Sequence, residues 1–132
     1  MVRDVTLAIN PGEFEALVGA NGSGKTTLVK HFNGLLRPRR GLVRVAGRDA
    51  AGRSMGELAR QVGYLFQRPE QQIFSPTVQQ ELAFGPRNLG LPQAEIKARV
   101  EAALARFRLA AVAGQPPAIL SYGLRRRVTL AS

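Results

Sequence analysis

Eight consecutive residues, 19–26 (GANGSGKT), match the phosphate-binding loop pattern G-x-x-x-x-G-K-[ST] at every fixed position. Glycine allows positive φ and leaves no Cβ in the way, so successive backbone N–H groups can turn toward phosphate oxygens. Lys25 would reach the β- and γ-phosphates as a point charge, and the hydroxyl of Thr26 would bind magnesium. The pattern therefore predicts a site that binds a nucleotide through its phosphates.

The flanking residues predict the elements that would hold this loop. Residues 13–18 (EFEALV) are typical of a short apolar strand, and residues 25–36 carry apolar side chains at helical spacing. A helix that begins at Lys25 would direct its unpaired N–H groups and partial positive charge at the phosphates. This order of strand, loop and helix favours nucleotide binding over a glycine-rich turn that merely precedes a helix.

Gln67 is a second candidate for chemistry because it follows residues 62–66 (VGYLF), which predict a buried strand. In open α/β sheets, ligands gather outside the carboxyl ends of the strands, where an amide can reach a metal ion or water. A glutamine after a strand is also common as a solvated loop residue. Its position alone leaves both interpretations open.

Local patterns predict the other elements of the first half of the chain. Residues 2–9 and the turn at 10–12 indicate an antiparallel, hairpin-like start. Residues 42–45 predict a short strand followed by a turn. The S-x-x-E form of residues 54–57 is a capping box, which predicts a brief helix over residues 56–61.

The second half of the chain predicts helices. Thr77 can cap a helix through residues 81–84, which we expect to end near the Gly-Pro pair at 85–86. Residues 93–108 predict an amphipathic helix packed on a core. The apolar face of that helix consists of Ile96, Val100, Leu104 and Phe107.

The composition is that of one globular domain, with 132 residues, 45% hydrophobic and 21% charged. The lack of cysteine excludes a disulfide framework and a thiolate metal site. Because no apolar run approaches a membrane span and no leader is recognisable, a cytosolic protein is the simplest expectation. The net charge of +10 would attract phosphates, nucleic acid or an anionic membrane surface, but the basic residues are spread along the chain.

Three segments occur in an order that characterises one family: residues 19–26, Gln67 within LFQRPEQQIF, and residues 120–124 (LSYGL) followed by RRRVTLAS. Because these segments occur in this order, the chain resembles ATP-binding cassette (ABC) ATPases, and the resemblance covers nearly its whole length. The segments FQRPEQQIFSPTV and ELAFGPRNLGLP are similar, more narrowly, to the ATPase components of energy-coupling factor transporters for cobalt, nickel, biotin and other vitamins.

The resemblance implies an α/β fold, an incomplete P-loop NTPase core with the start of the α-helical subdomain. Residues 1–68 would form part of the ATP-binding core and residues 69–132 the helical subdomain up to the signature motif. It implies an ATP-binding subunit that couples ATP binding and hydrolysis to uptake at the cytoplasmic face of the cell membrane. The expected partners are a second ABC ATPase subunit arranged head to tail, a transmembrane coupling protein and a substrate-binding membrane component, with no nucleic acid.

The resemblance also implies roles for single residues of the core. Lys25 and Gln67 would be the catalytic residues, Thr26 and Gln67 would share Mg²⁺, and Gln67 would sense the γ-phosphate of ATP. The nucleotide would be bound by Gly19, Ala20, Asn21, Gly22, Ser23, Gly24, Lys25, Thr26 and Thr27.

Ser121 and Gly123 match the signature motif, which in the family closes over ATP bound to the other subunit. Tyr122 replaces the usual first glycine of the motif and would crowd that approach. Leu124 replaces the usual glutamine and lacks its amide. Ser121 is therefore a better supported contact than the complete motif.

The family pattern continues beyond the signature into a Walker B strand with a catalytic glutamate, whereas this sequence ends at Ser132. No Asp or Glu follows Glu101, so no downstream residue is a candidate for the general base. We expect a fragment that does not hydrolyse ATP by itself. The strands absent after Ser132 would separate residues 13–18 from residues 62–66, so we do not expect those two segments to pair.

Two other functions are compatible with the sequence. A nucleic-acid-associated ABC-type ATPase is suggested by the +10 charge and by the run Arg125, Arg126 and Arg127. A nonenzymatic remnant that only binds nucleotide or a partner is the other. Nucleic-acid binding would weaken steeply with added salt, because it releases counterions, and this distinguishes it from apolar docking on a transporter.

Overall fold

A computed structural model describes residues 2–68 and 72–132, and it divides the chain into two compact units, Met1–Gly63 and Tyr64–Ser132. The described elements of the first unit are α1 (Lys25–Phe32), β1 (Arg44–Val45), β2 (Arg48–Asp49) and α2 (Met55–Ala59). Those of the second unit are α3 (Val78–Asn88), α4 (Gln93–Arg106), two short 3₁₀ helices (Ala110–Val112 and Pro117–Ile119) and α5 (Tyr122–Ala131).

Helix α1 confirms the helix expected after the phosphate-loop pattern, although it ends at Phe32 rather than Leu36. It stops because Gly34, two residues beyond, has a φ of +77°, a conformation that interrupts the helical ladder and is open mainly to glycine. Gly34 is also buried, and a Cβ on it would lie 2.5 Å from Cδ1 of Leu58. The end of α1 therefore packs directly on α2.

Strands β1 and β2 form an antiparallel hairpin in which Arg44 faces Asp49 and Val45 faces Arg48. The two turn residues between them both have positive φ, as a two-residue type I′ loop requires. The strand and turn predicted here are confirmed. Strand β2 was not expected, because its sequence carries no alternating apolar pattern.

The capping box before α2 is present as the sequence predicts. The Ser54 hydroxyl accepts from the Glu57 N–H at 3.2 Å, and the Glu57 carboxylate accepts from the Ser54 N–H at 2.7 Å. The hydrogen bonds from the Ser54 backbone and hydroxyl lower the pKa of Glu57. Both partners lie within one turn, which explains why the motif is legible in the sequence.

Three segments expected to be strands, residues 2–9, 13–18 and 62–66, have no regular secondary structure. The described sheet contains only β1 and β2. A strand is stabilised by backbone hydrogen bonds to a neighbouring strand and by cover on its apolar face, and residues 13–18 lie exposed, with Phe14 94% and Val18 85% accessible. The strands predicted at residues 2–9, 13–18 and 62–66 are therefore wrong. Of the hairpin-like start only the turn at residues 10–12 forms, where the Glu13 N–H donates to the Asn10 carbonyl at 3.1 Å.

The core of the second unit lies between α3, α4 and α5. The predicted stripe on α4 is confirmed, since Ile96, Val100 and Leu104 are buried and Phe107 packs against them. Burial of each such side chain contributes roughly 1.5–3 kcal/mol. The remaining buried apolar residues of this core are Val78, Leu82, Ala83, Leu109, Leu120 and Val128.

Helix α3 begins where the sequence predicts but extends further. The Thr77 hydroxyl caps it by accepting from the Gln80 N–H at 3.3 Å, whereas the expected end at residues 85–86 is wrong, because the helix passes through Pro86 to Asn88. Proline removes its own N–H donor and crowds the carbonyl four residues earlier, yet the helix continues, and the Leu89 N–H donates to the Gly85 carbonyl at 3.0 Å. Packing of α3 on α4 thus outweighs the helix-breaking tendency of Pro86.

Candidate nucleotide-binding site

The loop before α1 has the backbone conformation that its glycines permit. Gly22 and Gly24 have φ of +81° and +96°, values that residues with a Cβ adopt rarely. A Cβ on Gly24 would also lie 2.8 Å from Cγ2 of Val2. The Ser23 N–H donates to the Ala20 carbonyl at 3.2 Å, which closes the turn.

The N-terminus of α1 is available for an anion. Gly24 is its N-cap and has no side chain to bond to the first-turn N–H groups, and the first turn contains no acidic residue. The first i to i−4 bond is donated by Leu28 to the Gly24 carbonyl at 2.9 Å. Uncapped N–H groups at the positive end of a helix fit phosphate oxygens.

The Lys25 side chain folds back over the loop. Its Nζ donates to the carbonyls of Gly19 and Ala20, both at 2.8 Å, and to the Ser23 hydroxyl at 3.4 Å. These three acceptors are uncharged, so phosphate oxygens would attract the ammonium more strongly than they do. The lysine is thus held at the loop by contacts that an anion can replace. The hydroxyl-bearing Thr26 and Thr27 beside it are exposed.

Gln67 is exposed, and its neighbour Phe66 is held through the backbone. The Phe66 carbonyl accepts from Nη1 of Arg126 at 2.7 Å, and the Phe66 N–H donates to Oε1 of Gln72 at 3.3 Å. Residues 69–71, which include part of the segment after Gln67, lie outside the described residues.

Ser121 is the N-cap of α5, and its hydroxyl accepts from the Leu124 N–H at 3.4 Å. Tyr122 and Gly123 follow it and are exposed, and a Cβ on Gly123 would meet open space. The segment thus presents a serine cap and a helix N-terminus to solvent. The contact of Ser121 with a nucleotide stays a prediction.

The loop residues and Lys25 come together in the first unit, whereas Gln67, Ser121 and Gly123 belong to the second. Sequence reasoning missed Arg126 and Gln72 as supports of the backbone next to Gln67. No local pattern could reveal Arg126, since it is 60 residues from Phe66. The arginine run was instead interpreted through its charge.

Residues 2–132 match the model of the ABC transporter family. The chain belongs to this family. It is 47% identical to the cobalt import ATP-binding protein CbiO of Syntrophus aciditrophicus over 128 residues, which cover 96% of this chain and 46% of that protein. It is 41% identical to the energy-coupling factor transporter ATP-binding protein EcfA of Methanocaldococcus jannaschii over 133 residues, or 99% of this chain and 48% of that protein.

A solved structure, cbiO1 from Clostridium perfringens, is described as part of the ABC transporter complex cbiONQ. It superposes on this ABC transporter chain with a TM-score of 0.75 and 36% identity, covering 86% of this chain and 46% of that one. The expected family and fold class, a partial P-loop NTPase core with helical subdomain, are thereby confirmed. The chain spans about half the length of these relatives. Across the described residues, every helix is too short or too polar to span a membrane.

Proposed function

We propose that this chain is the ATP-binding part of an ATPase subunit that drives uptake by a transporter of the energy-coupling factor type. The observation that carries the proposal is the loop at residues 19–26, in which left-handed glycines, an uncapped helix N-terminus and Lys25 converge. The names of the relatives CbiO and EcfA support the transporter class. Other relatives of similar identity carry no substrate in their names, so the transported substrate is left open.

In this proposal the loop N–H groups, together with those of Thr26 and Thr27, bind the phosphates of ATP. Lys25 exchanges its bonds to Gly19 and Ala20 for bonds to the β- and γ-phosphates. The Thr26 hydroxyl fits Mg²⁺, because it is an exposed oxygen donor beside the loop and Mg²⁺ is typically held by few protein oxygens plus phosphates. When bound, Mg²⁺ would neutralise phosphate charge during γ-phosphoryl transfer.

We propose that Ser121 and Gly123 contact the nucleotide that is bound by a second ABC ATPase subunit. The two subunits would form a head-to-tail homo- or heterodimer. The hydroxyl of Ser121 and the N-terminal N–H groups of α5 are suited to phosphate, and Gly123 leaves room beside them. Tyr122, between these two residues, is bulky and exposed. Residues 1–68 would thus act as the core of the cassette and residues 69–132 as its helical subdomain.

An aromatic pair supports docking on a transmembrane coupling protein. Phe74 and Phe84 stack edge to face with ring centroids 4.5 Å apart, yet they are 64% and 43% exposed. Buried Glu81 holds this surface, since its Oε2 accepts from the N–H groups of Phe74 and Ser75 at 3.2 and 2.8 Å. Exposed aromatic anchors on a rigid frame are typical of protein interfaces. The assembly would lie at the cytoplasmic face of the membrane.

The alternative of a nucleic-acid-associated ATPase rests on the arginine run of α5. Arg126 of that run is bonded to the Phe66 carbonyl and is part-buried. The run is therefore no uniform surface patch for phosphates. Binding of the protein to nucleic acid should weaken steeply with added salt, whereas apolar docking on a transporter should not. If binding to a partner persists as salt is raised, the result favours the transporter function.

The proposal is tested by Lys25→Ala in the complete protein. Removal of a charge-assisted contact worth roughly 1.5–3 kcal/mol should weaken binding of Mg²⁺-ATP to the limit of detection in titration calorimetry. Lys30→Ala is the matched control, because Lys30 lies on the same helix but outside the loop. Equal affinities for the wild type and the Lys25 variant would refute the assignment of the phosphate loop.

A further inference from the structure

The backbone of Phe66 is held at both of its polar groups by side chains that are distant from it along the chain or follow Gln67. Arg126 of α5 donates to the carbonyl at 2.7 Å, and the N–H donates to Gln72 at 3.3 Å. Gln72 in turn donates from Nε2 to the Thr129 carbonyl, again on α5, at 3.4 Å. Both links from Phe66 therefore lead to the same helix.

The part of α5 that makes these contacts is itself well fixed. Thr129 is buried, and its hydroxyl donates to the Arg126 carbonyl at 2.9 Å. Val128 between them is completely buried in the core formed with α3 and α4. A bond from a guanidinium is charge-assisted and stronger than one between neutral groups. The anchor of the Phe66 carbonyl is therefore the stronger of the two links.

The side chain of Phe66 is fixed as well, because its ring meets that of Tyr64 edge to face with centroids 5.0 Å apart. Gln67, the next residue, is exposed. The position of its amide therefore depends on where the Phe66 backbone is held. Ser121 is the N-cap of α5. The same helix therefore carries Ser121 and fixes the backbone that precedes Gln67.

We propose that Arg126 is a positioning residue for Gln67: by fixing the Phe66 carbonyl to α5, it places the Gln67 amide for ATP hydrolysis. This inference rests on the proposed function, in which Gln67 acts on the γ-phosphate side of the nucleotide. Arg126 does not contact the nucleotide in this assignment. It acts only through the backbone of Phe66.

The test uses the complete protein with Arg126→Gln and, as control, Arg127→Gln, which makes the same charge change at the neighbouring exposed position of α5. Turnover is compared with binding of a nonhydrolysable ATP analogue. Arg126→Gln should lower kcat by about tenfold to hundredfold, since misplacement of a reacting group by about 1 Å has such an effect. The dissociation constant of the analogue should match that of Arg127→Gln, whereas the thermal midpoint should fall further, because the lost bond is charge-assisted and part-buried.

A second readout needs no nucleotide. Amide hydrogen exchange in a peptide that contains Phe66 should accelerate in Arg126→Gln and not in Arg127→Gln. If the glutamine variant does not fold, Arg126→Met, whose unbranched stem fills similar space without a donor, carries the same expectations. Wild-type kcat in a folded Arg126 variant overturns the inference.

A double variant that combines Arg126→Gln with Gln67→Ala separates this inference from the proposed function. If Arg126 acts through Gln67, the double variant should have the kcat of Gln67→Ala alone; a further loss equal to that of Arg126→Gln overturns the inference. If only Gln67→Ala lowers kcat, the positioning role fails and the proposed function stands. If Gln67→Ala leaves kcat unchanged, the role of Gln67 fails and the positioning role fails with it.

Discussion

Lys25 and Gln67 illustrate two ways in which a polar residue can be prepared for chemistry. The ammonium of Lys25 is held by neutral acceptors of its own loop, the carbonyls of Gly19 and Ala20. The Gln67 side chain is exposed, and the backbone of its neighbour Phe66 is held by Arg126 and Gln72. Loss of the first removes charge at the phosphates, whereas loss of the second removes only an amide and leaves the anion-binding loop intact.

This difference predicts separate effects on binding and turnover. In the complete protein, Gln67→Ala should reduce kcat more than it reduces affinity for ATP, because the group is needed chiefly at the γ-phosphate. Steady-state hydrolysis and calorimetry with a nonhydrolysable analogue measure the two effects. Gln115→Ala, an exposed glutamine in the same unit, is the control. Equal losses in kcat and affinity would argue against the assigned role.

The elements that the sequence predicts well are those whose determinants are local. The capping box of Ser54 and Glu57 lies within one turn, and the stripe on α4 repeats at helical spacing. The strands at residues 13–18 and 62–66 were mispredicted, because a strand needs a partner elsewhere in the chain. The link of Arg126 to Phe66 spans 60 residues and leaves no periodic signal. At the candidate site, the phosphate loop was therefore predictable and the support of Gln67 was not.

The contact between α1 and α2 provides a test of element packing. Gly34→Ala should destabilise the first unit by about 2 kcal/mol or more, since it puts a Cβ into a left-handed conformation and overpacks the site. The new Cβ would lie 2.5 Å from Cδ1 of Leu58.

Gly52→Ala is the matched control for Gly34→Ala. A Cβ there meets nothing within 4 Å, and Gly52 has no positive φ, so alanine should be neutral or stabilise by up to about 1 kcal/mol through the unfolded state. Urea unfolding followed by circular dichroism compares the two variants. Equal midpoints would show that the packing of Gly34 on Leu58 does not contribute to stability.

At the scale of the whole molecule, the two units differ in how completely they cover their apolar residues. The second unit has a buried core that joins α3, α4 and α5. The first unit leaves a run of large apolar side chains about half exposed or more, namely Val5, Leu7, Ile9, Phe14, Leu17 and Val18. Exposed apolar surface of this extent marks an interaction site or a tendency to aggregate.

The 132-residue polypeptide by itself should therefore bind a hydrophobic dye and aggregate on concentration. Phe14→Ser combined with Val18→Ser should lower the dye signal, because these side chains are the most exposed of the run, at 94% and 85%. Ile119→Ser is the control: Ile119 is 70% exposed but belongs to the second unit and not to that run, and single exposed apolar residues are normal on protein surfaces. Dye fluorescence and light scattering measure the two properties. A monomeric chain that unfolds cooperatively and does not bind the dye would contradict this prediction.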